Sequence, residues 1–350
     1  MPTFKPEYLQ ELTVKLFVCS GAPESEARIV AEALVRADSM GMSSHGVLRV
    51  IQYIKDAQKR AIVPGAELLV ESLSPTVSLI DAQWNFGQVA AMRAVELALA
   101  TAKIHGMGSA MVRRCRHVGR LGAYTETAAR AGFAALASCS TAGEGHWVAP
   151  FGGRQGRLGT NPISFAAPTS GDPVLLDFST ASLPEGRVRL FHDTGRALPA
   201  GTLVDEDGQP SLDPADLYAV DGSPAGAITP FGGEQGYKSY GLGLMAAILS
   251  SLLGVPAWRE EGIESNANTM WLLVIDIGQL MDLGRFTGEL DELLGYVASA
   301  EPSAGGDGVL IPGQREYAAL RRSEKDGIVV EEGVWRQLSA LAEELGVELQ

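Results

Sequence analysis

A histidine and an arginine four residues apart carry the clearest chemical signal in the chain. His45 follows Ser43 and Ser44, either of which predicts a helix N-cap, and Arg49 comes one turn later. Apolar residues then repeat at helical spacing: Val47, Leu48, Ile51 and Ile54. A neutral imidazole at a helix N-terminus can exchange a proton with an alcohol, and a guanidinium on the same face can bind a carboxylate. The pair suits an α-hydroxy or α-keto acid, although the segment alone fits a capped surface helix equally well.

A second histidine, His117, lies between a predicted strand and a predicted helix, where α/β proteins often place ligands. It is a second candidate acid or base. The backbone amides at the following helix start, together with Arg120, could hold a phosphate or a carboxylate. An ordinary strand-to-helix turn is the alternative. Lys238 precedes a very apolar helix and could either neutralise a bound anion or cover apolar surface with its stem.

The elements that must position these side chains alternate between helices and strands. The N-terminal part predicts helices at 5–19, from 23 to about 41, and at the histidine segment. Strands are predicted at 67–71, 76–81, 108–113, 133–138, 163–167, 174–178 and 271–277. Further helices are predicted at 87–105, 119–131, 314–326 and 331–345. The pattern indicates an α/β fold in which residues 1–65 and 312–350 form a helical lobe, with α/β segments at 66–140 and 141–311.

Composition limits the function classes. The chain has 350 residues, of which 46% are hydrophobic and 20% charged, as in a globular protein. A net charge of −14 argues against nucleic acid and against an anionic membrane surface as partners. The uncharged stretch 239–258 approaches the length of a membrane span. However, its glycines and Pro256 favour a buried core helix that ends near Gly254.

Cysteine usage predicts a reducing compartment. Cys19, Cys115 and Cys139 are odd in number and lack metal-ligand spacing, so we expect neither a disulfide framework nor a metal site. Residues 1–7 lack the basic region and apolar run of a signal peptide. We therefore expect a cytoplasmic protein.

One glycine pattern imitates a dinucleotide-binding fingerprint. Gly241 and Gly243 fit the spacing G-x-G-x-x-A up to Ala246. The fingerprint needs a hydrophobic strand directly before it, and the preceding residues 233–240 are polar and turn-like. We expect glycine-mediated helix packing here, so that any dinucleotide is bound by a non-Rossmann fold.

Seven short motifs, in order along the chain, resemble the type 2 malate/L-lactate dehydrogenases, a family that also includes sulfolactate, ureidoglycolate and cyclic-imine enzymes. They are Ser44-His45-Gly46-Val47 with Arg49, His117-Val118-Gly119-Arg120, Val148-Ala149-Pro150-Phe151-Gly152-Gly153, Gly159-Thr160-Asn161-Pro162, Leu176-Asp177-Phe178-Ser179-Thr180, Gly236-Tyr237-Lys238-Ser239-Tyr240-Gly241 and Ile311-Pro312-Gly313. The terminal helices are also similar, so the resemblance covers nearly the whole chain.

The resemblance implies a non-Rossmann mixed sheet with flanking helices, NAD or NADP as cofactor, and a homodimer. It implies an acid/base role for His45, which the ureidoglycolate branch assigns to the residue matching His117. Substrate contacts are implied for Ser44, Arg49, Thr160 and Lys238. Cofactor contacts are implied for Arg120, Leu121, Gly122, Asp177, Phe178, Ser179, Gly313, Gln314 and Arg315.

The chain departs from the family pattern at three places. Ser239 stands where relatives have glycine, and Gly186-Arg187-Val188 replaces Gly-Lys-Val. Residues 266–270 lack a histidine that relatives often carry, which puts contacts inferred there in doubt.

The expected function is hydride transfer between a nicotinamide and the α-carbon of a 2-hydroxy or 2-oxo acid. Two alternatives stay open: reduction of a cyclic imino acid, and a non-catalytic carboxylate-binding protein on the same fold.

Overall fold

A seven-stranded mixed sheet forms the centre of the computed structural model, which describes residues 1–142, 145–253, 267–306 and 308–349. The described strands are β1 (Thr3–Phe4), β2 (Leu69–Ser74), β3 (Val77–Asp81), β4 (Met107–Cys115), β5 (Phe133–Ala142), β6 (Ile163–Ala167), β7 (Val174–Phe178), β8 (Leu203–Val204), β9 (Pro210–Ser211), β10 (Ala227–Ile228), β11 (Ala267–Asp276) and β12 (Ile328–Val329). The described α-helices are α1 (Pro6–Cys19), α2 (Glu24–Ser39), α3 (Arg49–Gln58), α4 (Gly87–His105), α5 (Gly122–Arg130), α6 (Glu185–Asp193), α7 (Gly236–Ser251), α8 (Leu283–Ala298), α9 (Gln314–Asp326) and α10 (Glu332–Glu344).

The strand order of the sheet confirms the predicted non-Rossmann fold. The order is β2-β3-β4-β11-β5-β6-β7, and β3 with β4 is its only parallel pair within the described residues. A doubly wound dinucleotide fold would need a mostly parallel sheet. The short apolar runs of the strands were readable from sequence, but their pairing order depends on long-range contacts.

The N- and C-terminal segments share one hydrophobic core, as the predicted helical lobe requires. β1 pairs with β12, and the ring centroids of Phe4 and Trp335 are 4.2 Å apart. The fully buried core members include Leu9, Leu16, Phe17, Leu34, Tyr53, Ile54 and Phe86. Phe86 precedes α4, so this lobe is packed directly against the element that leads into the sheet. The domain boundaries proposed from sequence stay a prediction.

Two described helices that bury little, α6 and α8, were not predicted from the sequence. α6 has one buried residue, Val188, and α8 has none in the described chain. In α8 the apolar residues Phe286, Leu290, Leu293 and Val297 nevertheless recur at helical spacing, so the sequence did carry a periodic signal for this helix. The turn at 205–208 joins β8 to β9.

The apolar helix α7 lies on β5 and β11 of the sheet, but the predicted buried core helix is wrong in part. Its buried residues are small ones, whereas Leu242, Leu244, Met245 and Ile248 are exposed. Small polar side chains make the contact: Ser250 pairs with Ser138 at 2.8 Å, and Ser251 with Thr269 at 2.8 Å. A Cβ at Gly243 would lie 2.8 Å from Thr180 Oγ1, so one of the two glycines of the false fingerprint serves close packing. None of the described helices has the length and apolarity needed to cross a membrane.

The first residue of α4 touches the backbone that carries His117. A Cβ at Gly87 would overlap the carbonyl oxygens of Arg116 and His117. Glycine is therefore required here for a close approach of two backbones. The contact ties the helix start to the strand end.

We expect Gly87→Ala to lower the free energy of unfolding by about 1–3 kcal/mol, because the added methyl group overpacks this contact. The matched control is Gly333→Ala on α10, where nothing lies within 4 Å of the new Cβ. The control should stabilise by about 0.5–1 kcal/mol, because alanine is the better helix former. Urea unfolding measures both; equal midpoints for Gly87→Ala and the wild type would contradict the assignment.

Candidate active site

His45 lies in a short turn, and the predicted helix through residues 43–54 is wrong in its first part. Residues Ser43–His45 form one turn of 3-10 helix, Gly46 is extended, and α3 starts only at Arg49. Neither serine caps a helix with its side chain. His45 and Arg49 are thus neighbours through a turn and do not lie one above the other on a helix face.

A carboxylate from the preceding helix explains this break. Asp38 accepts a hydrogen bond from the Val47 amide at 2.7 Å, and a Cβ at Gly46 would overlap the Asp38 carboxylate. Residue 46 must therefore be glycine, because any side chain there would overlap the Asp38 carboxylate. Burial raises the pKa of Asp38 to about 7. Local propensity favoured a helix here, and this tertiary contact overrides it.

Arg49 holds the turn from the other side. Its Nε donates to the Ser44 carbonyl oxygen at 2.8 Å, and its Nη1 donates to Gln52 Oε1 at 2.7 Å. A Cβ at Gly186 would lie 2.9 Å from Arg49 Nη2. The guanidinium is thus fixed between α3 and the start of α6, with its position set before any ligand binds.

The structure brings the two candidate histidines together. The ring centroids of His45 and His117 are 5.5 Å apart, and the rings are stacked with an interplanar angle of 23°. His45 Nδ1 lies 3.0 Å from Ser44 Oγ, and His117 Nδ1 lies 2.7 Å from the Tyr53 hydroxyl. Each ring therefore has one nitrogen engaged within the protein, which leaves Nε2 for a ligand.

Both imidazoles are held neutral. Burial is the main cause, and it lowers the pKa of His45 to about 3, with the Arg49 and Arg120 guanidiniums as further causes. The pKa of His117 is lowered well below its ordinary value by burial, Arg49 and His45. The sequence predicts a neutral His45 from its position at a helix N-terminus. In the structure, burial and two guanidiniums lower its pKa instead.

Arg120 is buried and charge-compensated. Its Nη2 pairs with Glu126 at 2.9 Å, and its Nε lies 3.8 Å from Asp177 Oδ2. Arg36 and Arg130 also pair with Glu126. Nε is nevertheless buried without a hydrogen-bond partner among the described residues. Arg120 is thus part of a fixed ionic network at the edge of the histidine pair.

The three segments predicted to contact a cofactor meet along β7. The Gly122 amide donates to Asp177 Oδ2 at 2.8 Å, and burial raises the pKa of Asp177 to about 6. The Leu175 amide donates to the Pro312 carbonyl oxygen at 3.2 Å, and a Cβ at Gly313 would lie 3.0 Å from Leu175 Cβ. Segments 120–122, 177–179 and 313–315 therefore line one strand.

Individual side chains of these segments differ in exposure. Leu121 is fully buried, and the ring of Phe178 packs edge-on against Phe231 at 5.8 Å. Gln314 Oε1 accepts from the Ile311 amide at 3.0 Å, whereas Arg315 is exposed on the first turn of α9.

The predicted substrate residues Thr160 and Lys238 lie in different settings. The Thr160 carbonyl oxygen accepts from Ser179 Oγ at 3.0 Å, which fixes it beside the end of β7. Lys238 is exposed, with Nζ 5.7 Å from the Tyr237 ring centroid. No hydrogen bond or ion pair described in the structure joins Lys238 to the histidines.

Tyr53, Gln88 and Asn268 were missed by the sequence reasoning. Tyr53 follows Arg49 by one helical turn, which was the available signal. Gln88 donates to the Tyr53 hydroxyl at 2.9 Å. Asn268 Oδ1 accepts from the Val118 amide at 3.0 Å and so fixes the backbone after His117. Of the segment that lacks the family histidine, residue 266 lies outside the described residues.

Comparison with known proteins decides the family. The model of the malate/L-lactate dehydrogenase family matches residues 4–339. The chain belongs to this family. The L-sulfolactate dehydrogenase of Methanocaldococcus jannaschii is 33% identical over 353 residues, covering 99% of this chain and 98% of the relative.

Two solved structures extend the likeness to the fold. The malate dehydrogenase of Pyrococcus horikoshii has a TM-score of 0.89 and 28% identity, covering 100% of this chain and 97% of that one. A Δ1-piperideine-2-carboxylate reductase from Pseudomonas syringae has a TM-score of 0.82 and 29% identity, covering 98% and 100%. The chain is a member of the hydroxy-acid dehydrogenase family, whose enzymes use nicotinamide cofactors.

Acidification should destabilise the fold through His45. Its pKa is about 3 folded and about 6.5 unfolded, so below pH 6.5 the unfolded chain binds the extra proton and stability falls. Asp38 and Asp177 act in the opposite direction, because their raised pKa values make the folded chain the better proton acceptor. We therefore expect the wild type to lose about 1 kcal/mol more than His45→Gln between pH 7 and pH 5, a value discounted for partial exposure.

Urea unfolding of both proteins at the two pH values measures the difference. The control is His105→Gln, which removes an exposed histidine and should follow the wild type. An identical pH loss in the wild type and in His45→Gln would show that His45 is not held neutral.

Proposed function

We propose that the chain is an NAD(P)-dependent oxidoreductase that moves a hydride between the nicotinamide and the α-carbon of a 2-hydroxy or 2-oxo acid. The observation that carries this proposal is the stacked pair of neutral histidines, His45 and His117, beside the anchored guanidinium of Arg49. A neutral imidazole exchanges a proton with an alcohol oxygen, and a guanidinium binds the adjacent carboxylate.

Arg49 is the better candidate for the carboxylate. Arg120 is already paired with Glu126 and faces Asp177, so its contribution is positive potential. Arg49 contacts only neutral groups, the Ser44 carbonyl oxygen and Gln52, in the bonds described here. Its charge therefore needs a counter-ion, which a substrate carboxylate provides.

His45 is the proposed proton-exchanging group. Ser44 engages Nδ1, so Nε2 is the nitrogen that meets the substrate hydroxyl. A carboxylate bound at Arg49 offsets the positive potential that lowers the pKa of His45. The bound substrate thereby makes His45 a stronger base than it is in the free protein.

The proposed cofactor site follows β7. Glycines 122 and 313 leave bare backbone where a Cβ would press on Asp177 and Leu175, and the unpartnered Nε of buried Arg120 offers a donor. The residues that would hold the cofactor are Arg120, Leu121, Gly122, Asp177, Phe178, Ser179, Gly313, Gln314 and Arg315. The nicotinamide, when bound, supplies or accepts the hydride. These residues leave the choice between NAD and NADP open to measurement.

Reduction of a cyclic imino acid is the second candidate, favoured by the likeness to the Pseudomonas syringae reductase. Such a substrate presents the same carboxylate to Arg49, with a ring nitrogen in place of the hydroxyl oxygen. The two candidate functions are distinguished by whether the protein turns over a 2-oxo acid or a cyclic imino acid.

We expect the protein to oxidise NADH or NADPH in the presence of a 2-oxo acid, tested with oxaloacetate and pyruvate. Δ1-piperideine-2-carboxylate tests the cyclic-imine candidate in the same assay. His45→Gln should lower kcat about 10²- to 10⁴-fold, the usual contribution of a positioned acid/base. Arg49→Lys should mainly raise KM, because lysine cannot form a bidentate hydrogen bond with the substrate carboxylate. His105→Gln should behave like the wild type.

Absence of turnover with every pair of cofactor and substrate would refute the enzymatic proposal and favour a carboxylate-binding protein. Normal turnover by His45→Gln would move the proton exchange to His117.

We also propose a homodimer formed through the outer face of α7. Residues 239–253 carry no charged side chain, yet this helix exposes Leu242, Leu244, Met245 and Ile248. An exposed apolar patch of this kind supports a subunit interface, because contiguous apolar surface is commonly buried against a partner.

Sedimentation should therefore show a dimer at micromolar concentration, and Ile248→Asp should dissociate it, because the charge would be buried without a partner. Val220→Asp is the control, since Val220 is fully exposed and lies outside α7. A wild-type monomer would contradict the proposal.

A further inference from the structure

A buried tyrosine lies behind the candidate active site and contacts one of its histidines. Tyr53, on α3, is 1% exposed. Its hydroxyl lies 2.7 Å from His117 Nδ1 and accepts a hydrogen bond from Gln88 Nε2 at 2.9 Å. Gln88 is itself buried on the first turn of α4. The three side chains form a chain of hydrogen bonds that starts in the core and ends at the imidazole.

The number of protons on each side chain sets the donor-to-acceptor direction of these hydrogen bonds. A phenol has one proton to donate. With the Gln88 amide oriented so that Nε2 donates to the Tyr53 oxygen, the phenol proton is directed to His117 Nδ1. In this orientation Gln88 Oε1 is buried without a hydrogen-bond partner among the described residues. A neutral imidazole carries one proton, so that of His117 is on Nε2. The nitrogen left for a ligand is therefore a donor.

The surroundings keep each member in this state. Burial raises the pKa of Tyr53 to about 12, so the phenol stays protonated. Burial, and after it Arg49 and His45, lower the pKa of His117 and so disfavour its charged form. Gly119 has φ +76°, and a Cβ there would lie 3.1 Å from Gln88 Nε2. The loop after His117 thus leaves room for the amide because it has glycine at this position.

We propose that Tyr53 is a positioning residue that holds His117 as the Nε2–H tautomer, so that His117 donates a hydrogen bond to the substrate oxygen while His45 exchanges the proton. This inference rests on the proposed function for the role of the substrate, but the tautomer itself is a property of the free protein. The two histidines then have different roles. His117 donates a hydrogen bond to the substrate oxygen, whereas neutral His45 accepts the hydroxyl proton in the oxidation direction and, as imidazolium, returns it in the reverse direction. A histidine held neutral to act as a hydrogen-bond donor is an established catalytic device.

The tautomer can be measured directly. The chain has five histidines, so 15N-histidine labelling gives a simple long-range 1H–15N spectrum, in which His117→Gln identifies the signals of His117. We expect a protonated Nε2 and an unprotonated Nδ1 in the wild type at pH 7. In Tyr53→Phe, the donor to Nδ1 is gone, and the signals should move toward a mixture of tautomers.

A protonated Nδ1 in the wild type would overturn the inference. It would mean that Tyr53 donates to Gln88 and accepts from His117, leaving Nε2 as a base. This spectrum decides the point even if Tyr53→Phe fails to fold or the wild type shows no dehydrogenase activity, so failure of the proposed function and failure of this inference are distinguishable.

Kinetics supply the second readout. Tyr53→Phe should lower kcat about 10-fold, the scale of one hydrogen bond, with little change in KM for the 2-oxo acid. Tyr8→Phe is the matched control: its buried hydroxyl has no hydrogen-bond partner among the described residues and lies in the helical lobe. Unchanged kcat in Tyr53→Phe, or an equal loss in Tyr8→Phe, would contradict the positioning role.

Discussion

The site depends on one constraint: two imidazoles and two guanidiniums share a largely buried volume, and this is tolerable only if the imidazoles are neutral. Burial alone disfavours an imidazolium, and Arg49 and Arg120 add to the effect. The acidic partners are arranged accordingly. Glu126 and Asp177 compensate Arg120, whereas Arg49 contacts the uncharged Ser44 carbonyl oxygen and Gln52. The local field is therefore positive where an anionic substrate would lie, although the whole chain carries −14.

Close backbone approaches assemble this volume from distant elements. Gly46 passes the Asp38 carboxylate, Gly87 touches the carbonyl groups before and at His117, and Gly122 fits beside Asp177. Each of these contacts joins a helix end or turn to a different part of the fold. A Cβ at any of them would displace a residue that the site needs. These three glycines are therefore required for close contacts between elements, in addition to any role in turns.

Much of the fold was predictable from sequence because its signals are local. The bounds of α4, β6, β7 and α9 follow from apolar periodicity and end signals. The absence of a strand before Gly241 correctly argued against a Rossmann fold. The prediction failed where local and tertiary preferences disagree, as in the turn at His45. It also missed the surface helices α6 and α8, although the sequence of α8 carries apolar residues at helical spacing.

The sequence by itself determined the chemical inventory: His45, Arg49 and His117, the motifs that resemble a dehydrogenase family, and the alternation of helices and strands. Only the tertiary structure decided that the two imidazoles stack, that Asp38 breaks the helix before Arg49, and that Tyr53 and Gln88 reach His117. The physical reason is that these contacts join residues far apart in the chain. Their distances are set by the packing of the helical lobe against the sheet, which no local pattern encodes.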